Sequence, residues 1–244
     1  MNQIDDIDRA IDYCETLDEG FRARIRGATT EVIDGVADGL GRPLDAGHRR
    51  FLERLGESAG GLDFGTLDPS AAVLVRSLRM TYGDPPPGFE LFAVGRDEPF
   101  EDLYLVERNG TRVLELLNSR KGTTYGSLAD DAGTILAGSI AELMCVRALR
   151  RHVADVLPFR AVLGQTEDGG AGLDVLDTVL ARLGLLPLWF SSALTRVATA
   201  PGLVVIGRQP PGGALVVRLA SADGEVFAAV ETALADALGM RRSE

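Results

Sequence analysis

The sequence predicts an α+β protein: a domain of helices packed on an antiparallel sheet, followed by a smaller α+β domain. Three observations carry this. Apolar residues recur at helical spacing up to Met80. Past the proline run Pro85 to Pro87 the alternation shortens to that of a strand. In the last third a helix, a hairpin rich in Val, Ile and Leu, and a closing helix follow one another.

Taken in order, Ile4 to Arg26 sets Ile4, Ile7, Ile11 and Leu17 between charges, an amphipathic helix broken near Gly20. A second helix starts at Thr29 or Thr30, where "TTEVIDGVADGLG" supplies a hydroxyl cap, an early Glu31 and apolar Val32, Ile33, Val36 and Leu40. Gly41 and Pro43 end it. A third is capped by Asp45, carries Phe51, Leu52 and Leu55 as its stripe, and stops at Gly60-Gly61. Asp68-Pro69 then opens a fourth, "SAAVLVRSLRMTYG", although its Val and Leu content leaves strand open.

After the prolines, "FELFAVG", "DLYLVE" and "RVLELL" alternate, with Asn109-Gly110 between the last two. Both turn residues tolerate positive φ, so Phe89 to Leu117 is predicted as a three-stranded antiparallel meander. The helix "ILAGSIAELMCVRALRRHV" follows, with Ile140, Leu143, Met144 and Leu149 toward the core. Further on, "FRAVLGQTEDGGAGLD" starts as a strand and becomes a glycine-rich loop. A helix over Asp174 to Leu183, the apolar "LLPLWF", the hairpin "GLVVIGRQPPGGALVVRLA" turning at Pro210 to Gly213, and a last helix with Val226, Phe227, Val230 and Leu234 on one face complete the chain.

Composition narrows the function classes. The 244 residues are 45% hydrophobic and 25% charged, the profile of a globular protein with room for one large domain or two small ones. No apolar run approaches the roughly 20 residues of a membrane span, and the acidic opening "MNQIDDIDRA" has no secretory h-region. A cytoplasmic protein without a membrane partner is expected. Only Cys14 and Cys145 occur, with no CxxC pair, so neither a disulfide framework nor a zinc site is expected. With only His48 and His152, a His-rich metal site or a Ser-His-Asp triad has little to draw on. His48 reads as a solvated helix position, and Cys145 as a buried small hydrophobe. A formal charge of −11 disfavours nucleic acid and suits a basic protein partner.

Three local features bear on chemistry. "GGAGLDVL" has Gly170 and Gly172 but no third glycine, no following Lys-Ser or Lys-Thr, and Glu167 and Asp168 that repel phosphate; it reads as a flexible loop. Trp189 and Phe190 read as core, with a partner-binding patch as the alternative. Asp97, Glu98, Glu101 and Asp102 lack calcium-loop spacing and flank Pro99 in a strand connection. Solvent there screens them from the burial an acid/base pair needs. They are read as an exposed charged connection or, more sharply, as a recognition edge for a basic partner. No catalytic, cofactor-binding or metal residues are assigned.

The order of helix, proline-containing turn, helix, glycine pair, meander and late helix, carried by "VADGLGRPLDAGHRRFLERLGESAGGLDFG" and "FELFAVGRDEPFEDLYLVERNGTRVLEL", resembles the SUKH superfamily, also called the Smi1/Knr4 family. The resemblance covers residues 29–153, leaving 1–28 as an N-terminal helical segment and 154–244 as an unrecognised C-terminal domain. It implies a non-enzymatic protein-binding module without cofactors. Bacterial members are commonly immunity proteins that bind toxins of polymorphic toxin systems, many of them nucleases, and fungal relatives are regulatory scaffolds. The expected function is therefore an immunity protein with a basic, possibly toxin, partner. The alternatives are a Smi1/Knr4-type scaffold and, more distantly, a nucleotide-binding or hydrolytic enzyme using the C-terminal domain.

Overall fold

The computed structural model describes residues 3–79, 85, 87–95, 102–108, 112–117, 134–165 and 172–242. The chain divides into two compact units, Met1–Arg147 and Ala148–Glu244. The sequence pattern sets that boundary between Val153 and Ala154, and sets residues 1–28 apart from the first domain.

The first unit opens with α1 (Gln3–Leu17), which buries Ile7, Ile11 and Cys14. Gly20, in the left-handed region at φ 78°, makes the predicted break before α2 (Phe21–Arg24) and the short β1 (Ile25–Arg26). Next come α3 (Thr30–Gly39), burying Ile33 and Val36, and α4 (Ala46–Leu55). Asp45 caps α4 as expected, its Oδ1 accepting from Gly47 N at 2.9 Å. The end of α4 differs from expectation: it stops at Leu55 with Gly56 as its cap, short of Gly60-Gly61. The chain is drawn off the helix because Glu57 N donates to Arg26 O and β2 (Ser58–Ala59) pairs antiparallel with β1. Arg50 of α4 holds Asp8 of α1 through Nε at 3.0 Å and a terminal nitrogen at 2.7 Å, fastening the two helices.

A two-residue strand, β3 (Leu67–Asp68), precedes α5 (Ala71–Arg79), which starts two residues later than the expected Asp68-Pro69 opening: Asp68 is a strand residue whose Oδ1 accepts from Ser70 N at 2.8 Å, just before the helix. The meander is present as β4 (Phe89–Gly95), β5 (Asp102–Glu107) and β6 (Val113–Leu117), paired antiparallel in turn. It is wider than predicted. β3 pairs outside β4, and β7 (Thr134–Ala137) pairs with β6, giving a five-stranded sheet in the order β3-β4-β5-β6-β7. Ile135 to Ala137, expected to open the following helix, is therefore strand.

Helix α6 (Ile140–Leu149) starts only after a reciprocal cap: Ser139 Oγ accepts from Glu142 N, and Glu142 Oε2 accepts from Gly138 N. On the sheet, β4 carries an extra residue, Phe92, between the pairs Leu91–Leu105 and Ala93–Tyr104. Phe92 packs edge-on against Phe51 at 4.9 Å and Phe64 at 6.0 Å, which joins α4 to the sheet.

In the second unit, a π-helical turn (Arg150–Ala154) leads to β8 (Phe159–Gln165), α7 (Leu173–Arg182), β9 (Thr195–Ala200), β10 (Leu203–Arg208), β11 (Val216–Ser221), α8 (Gly224–Leu238) and β12 (Met240–Arg242). The sheet runs β12-β8-β11-β10-β9, antiparallel throughout. Leu163, Val205, Val217 and Leu219 form one core cluster with Leu176 and Leu180 of α7 and Phe227, Val230 and Leu234 of α8. The β10–β11 hairpin and its Pro210–Gly213 turn lie where predicted, with Gly213 N donating to Pro210 O at 2.9 Å. Asp223 caps α8 by accepting from Glu225 N and Val226 N. Val226, expected on the buried face, is instead 42% exposed: the buried stripe of α8 runs through Phe227, Val230 and Leu234, and Val226 stands one position off it.

Candidate functional site

The acidic cluster springs from one end of the first unit's sheet. Asp97, Glu98 and Glu101 lie outside the described residues. Asp102 is the first residue of β5, opposite Leu117, and the connection from Gly95 to Asp102 joins β4 to β5. Asp68 stands across from Val94 at this same end. Its Oδ1 accepts from Ser70 N ahead of α5, and Asp63 Oδ1 accepts from Gly65 N at 2.7 Å. Counted from the sequence, the first unit holds sixteen Lys and Arg against twenty-six Asp and Glu, a formal −10; the second holds nine against ten, a formal −1. The excess acidity of the chain therefore belongs to the unit that carries this connection.

A buried His–Glu pair lies elsewhere in this unit. His48, expected in solvent, is 0% exposed, as is Glu90. His48 Nδ1 sits 2.9 Å from Glu90 Oε2, while Glu90 Oε1 accepts from Asp45 N at 2.8 Å and lies 3.5 Å from Arg108 Nε. The ring of His48 meets Phe92 edge-on at 5.6 Å. The sequence held a signal for this: His48 is three and four residues before Phe51 and Leu52, on the apolar stripe of α4. Glu90 is less legible, since simple alternation in "FELFAVG" places it outward, whereas both sides of β4 are buried. With both side chains fully buried, the His48–Glu90 pair is a polar strut between α4 and β4.

Neither thiol offers a nucleophile. Cys14 and Cys145 are buried and unbonded to one another. Burial, with a smaller push from Asp18, raises the Cys14 thiol to about 12, and burial likewise raises Cys145 well above the usual thiol range. A thiol-specific aromatic disulfide reagent applied at pH 8 is expected to label neither cysteine in the native protein and both after denaturation. Rapid labelling of the native chain contradicts this placement. Among the described residues, no cluster of His, Cys, Asp and Glu is arranged to hold a metal ion, and no helix is long and apolar enough to cross a membrane.

Within the second unit, the glycine-rich loop has its described end at Gly172, the residue before α7. The first amide of α7 is occupied: Leu173 N donates to Gln209 Oε1 at 3.2 Å, and Asp174 places a carboxylate in the same turn. That geometry disfavours phosphate there. Phe190 is buried as expected, and Trp189 is half-buried, packed edge-on against it at 5.5 Å, while Leu186, nearby in sequence, is 76% exposed.

Sequence reading missed a basic groove of about 440 Å³ in this unit, lined by Arg160, Arg218 and Arg242 and by one carboxylate, Asp155. Arg242 is committed to Glu231 of α8 and lies over the Phe227 ring, 5.5 Å from its centroid. The alternation of "VVRLAS", with Val217 and Leu219 facing the core, was the available sign that Arg218 faces outward.

A scan against models of known protein families matches none, and no curated protein or solved structure matches the chain.

Proposed function

We propose that the chain is a non-enzymatic protein-binding module of the SUKH (Smi1/Knr4-like) type, acting as an immunity protein that neutralises a basic toxin domain. The observation that carries this reading is the charge distribution: a formal −10 in the first unit against −1 in the second, with four carboxylates in the β4–β5 connection. Such a field steers a basic partner toward that unit and penalises acidic ones. Among the described residues, His48, Glu90, Cys14 and Cys145 all face the interior.

A nuclease toxin is the partner class that fits best. Its substrate cleft must be basic to hold phosphates, so an acidic edge can occupy the cleft and exclude the nucleic acid.

The test is the variant Asp97→Asn, Glu98→Gln, Glu101→Gln, Asp102→Asn. These residues join strands at a sheet end, and the changes keep side-chain size, so folding is expected to persist. Affinity for the partner toxin domain is expected to fall about tenfold or more, mostly through a slower association rate that converges with wild type at high salt. Unchanged affinity would remove the acidic-edge contact. A set of weak, unrelated partners in place of one tight one would favour a regulatory scaffold.

A further inference from the structure

We propose that the Arg160–Arg218 groove of the second unit docks an extended, carboxylate-bearing segment of a partner protein that also carries an apolar side chain. This goes beyond the immunity reading and does not depend on it. The register of β8 and β11 sets Arg160 opposite Ala220 and Arg218 opposite Val162, so both guanidinium-bearing positions share one face and are diagonal neighbours. Diagonal neighbours on paired strands stand about 7–8 Å apart. Alternate side chains of an extended peptide repeat at about 7 Å. Two carboxylates at i and i+2 of an incoming strand therefore match the two cations.

The cations are available. Among the described residues Arg218 makes no ion pair or hydrogen bond, and Arg160 gives one N–H to Asp155 O, leaving the rest of its fork. By contrast Arg196 is bound by Asp177 and Arg242 by Glu231. The fork of Arg218 and the remaining N–H groups of Arg160 can take a carboxylate in the two-point geometry that lysine lacks.

Apolar anchorage is present beside them. Val162 and Ala220 share the groove with the two arginines, and Val156, next to the lining Asp155, is 68% exposed. The groove is walled by exposed arginines and floored by Val162 and Ala220. It lacks the enclosure that buries most of a small ligand's surface, so a chain laid across it fits better than a nucleotide.

The probe is a fluorescein-labelled decapeptide with Glu at alternate positions and one central Leu, titrated with the full chain at about 50 mM salt and read by anisotropy. Saturable binding is expected. It should weaken about tenfold in Arg160→Ala/Arg218→Ala, with the peptide carrying Lys for Glu not binding. Arg218→Lys should recover only part of the loss, because it keeps the charge without the fork. Both arginines are exposed, so far-UV circular dichroism should match wild type. Equal binding by the double variant overturns the proposal. So does displacement of the peptide by an equal concentration of inorganic phosphate or ATP, which makes the groove a phosphate site. A wild-type dimer that the double variant turns monomeric, with no peptide binding, also overturns it and assigns the face to self-association.

Discussion

Replacing Glu90 by alanine is expected to cost the first unit about 3–5 kcal/mol, since it removes a fully buried carboxylate that partners three groups. Three groups lose their acceptor together. His48 Nδ1 is left beside a void in the aromatic cluster, the Asp45 amide at the start of α4 loses its carboxylate, and Arg108 loses the anion 3.5 Å away. A buried polar group left without its partner costs about 1–3 kcal/mol, and the void adds a packing loss, while the part-exposed Arg108 turns to solvent. Glu90→Gln is expected to be milder, because an amide oxygen still accepts from Asp45 N. Urea unfolding followed by circular dichroism, with amide hydrogen exchange read in α4 and β4, measures both. A Glu90→Ala chain with wild-type exchange in these two elements would place the pair outside the core.

The second large effect is steric. Gly27 lies between β1 and α3, where the chain is pressed onto the last turns of α4. Ala28 N donates to Leu52 O at 3.0 Å, and a Cβ added to Gly27 would stand 1.8 Å from Glu53 O and 2.7 Å from Glu53 C. Both obstructing atoms are backbone, so no rotamer change relieves the clash. Gly27→Ala is expected to destabilise by about 3 kcal/mol, the upper part of the range for overpacking. Gly41 supplies the contrast. Its φ is 64° and an added Cβ would meet nothing within 4 Å, so Gly41→Ala carries only the left-handed backbone penalty of about 1–2 kcal/mol. If the two variants unfold at the same urea concentration, the close approach at Gly27 is not held in solution.

Elements with a sustained period were legible: the helices with i, i+3, i+4 stripes, the strands around Asn109-Gly110, and the β10–β11 hairpin with its proline-glycine turn. What escaped has physical causes. β3 and β12 are two and three residues long, too short to show alternation, and exist because a longer neighbour offers an edge. β7 merges into the next helix on a sequence reading because Ile135 and Leu136 are apolar under either period; the Gly138-Ser139 cap marks the true start. α4 ends early because tertiary pairing of β1 with β2 captures the chain before the glycine pair.

The site was legible in part. The four carboxylates stand out by composition, and the structure supplies the strands that carry their connection. His48 misleads because a lone polar residue on a helix is assigned to solvent by default, and its partner Glu90 is forty-two positions away. The arginine groove was invisible for a related reason: Arg160 and Arg218 meet only through strand pairing, and no local spacing announces such a meeting.

The central claim is that this chain works by binding a basic protein through its acidic unit. It is tested most directly by capture from the native host's lysate on the immobilised full chain, at about 50 mM and about 500 mM salt, read by mass spectrometry. The two conditions bracket strong and weak electrostatic range. The account predicts one basic protein held at low salt, thinned at high salt, and lost on the quadruple carboxylate variant. Recovery of no protein, or of a scattered set of acidic and neutral ones indifferent to salt, contradicts it.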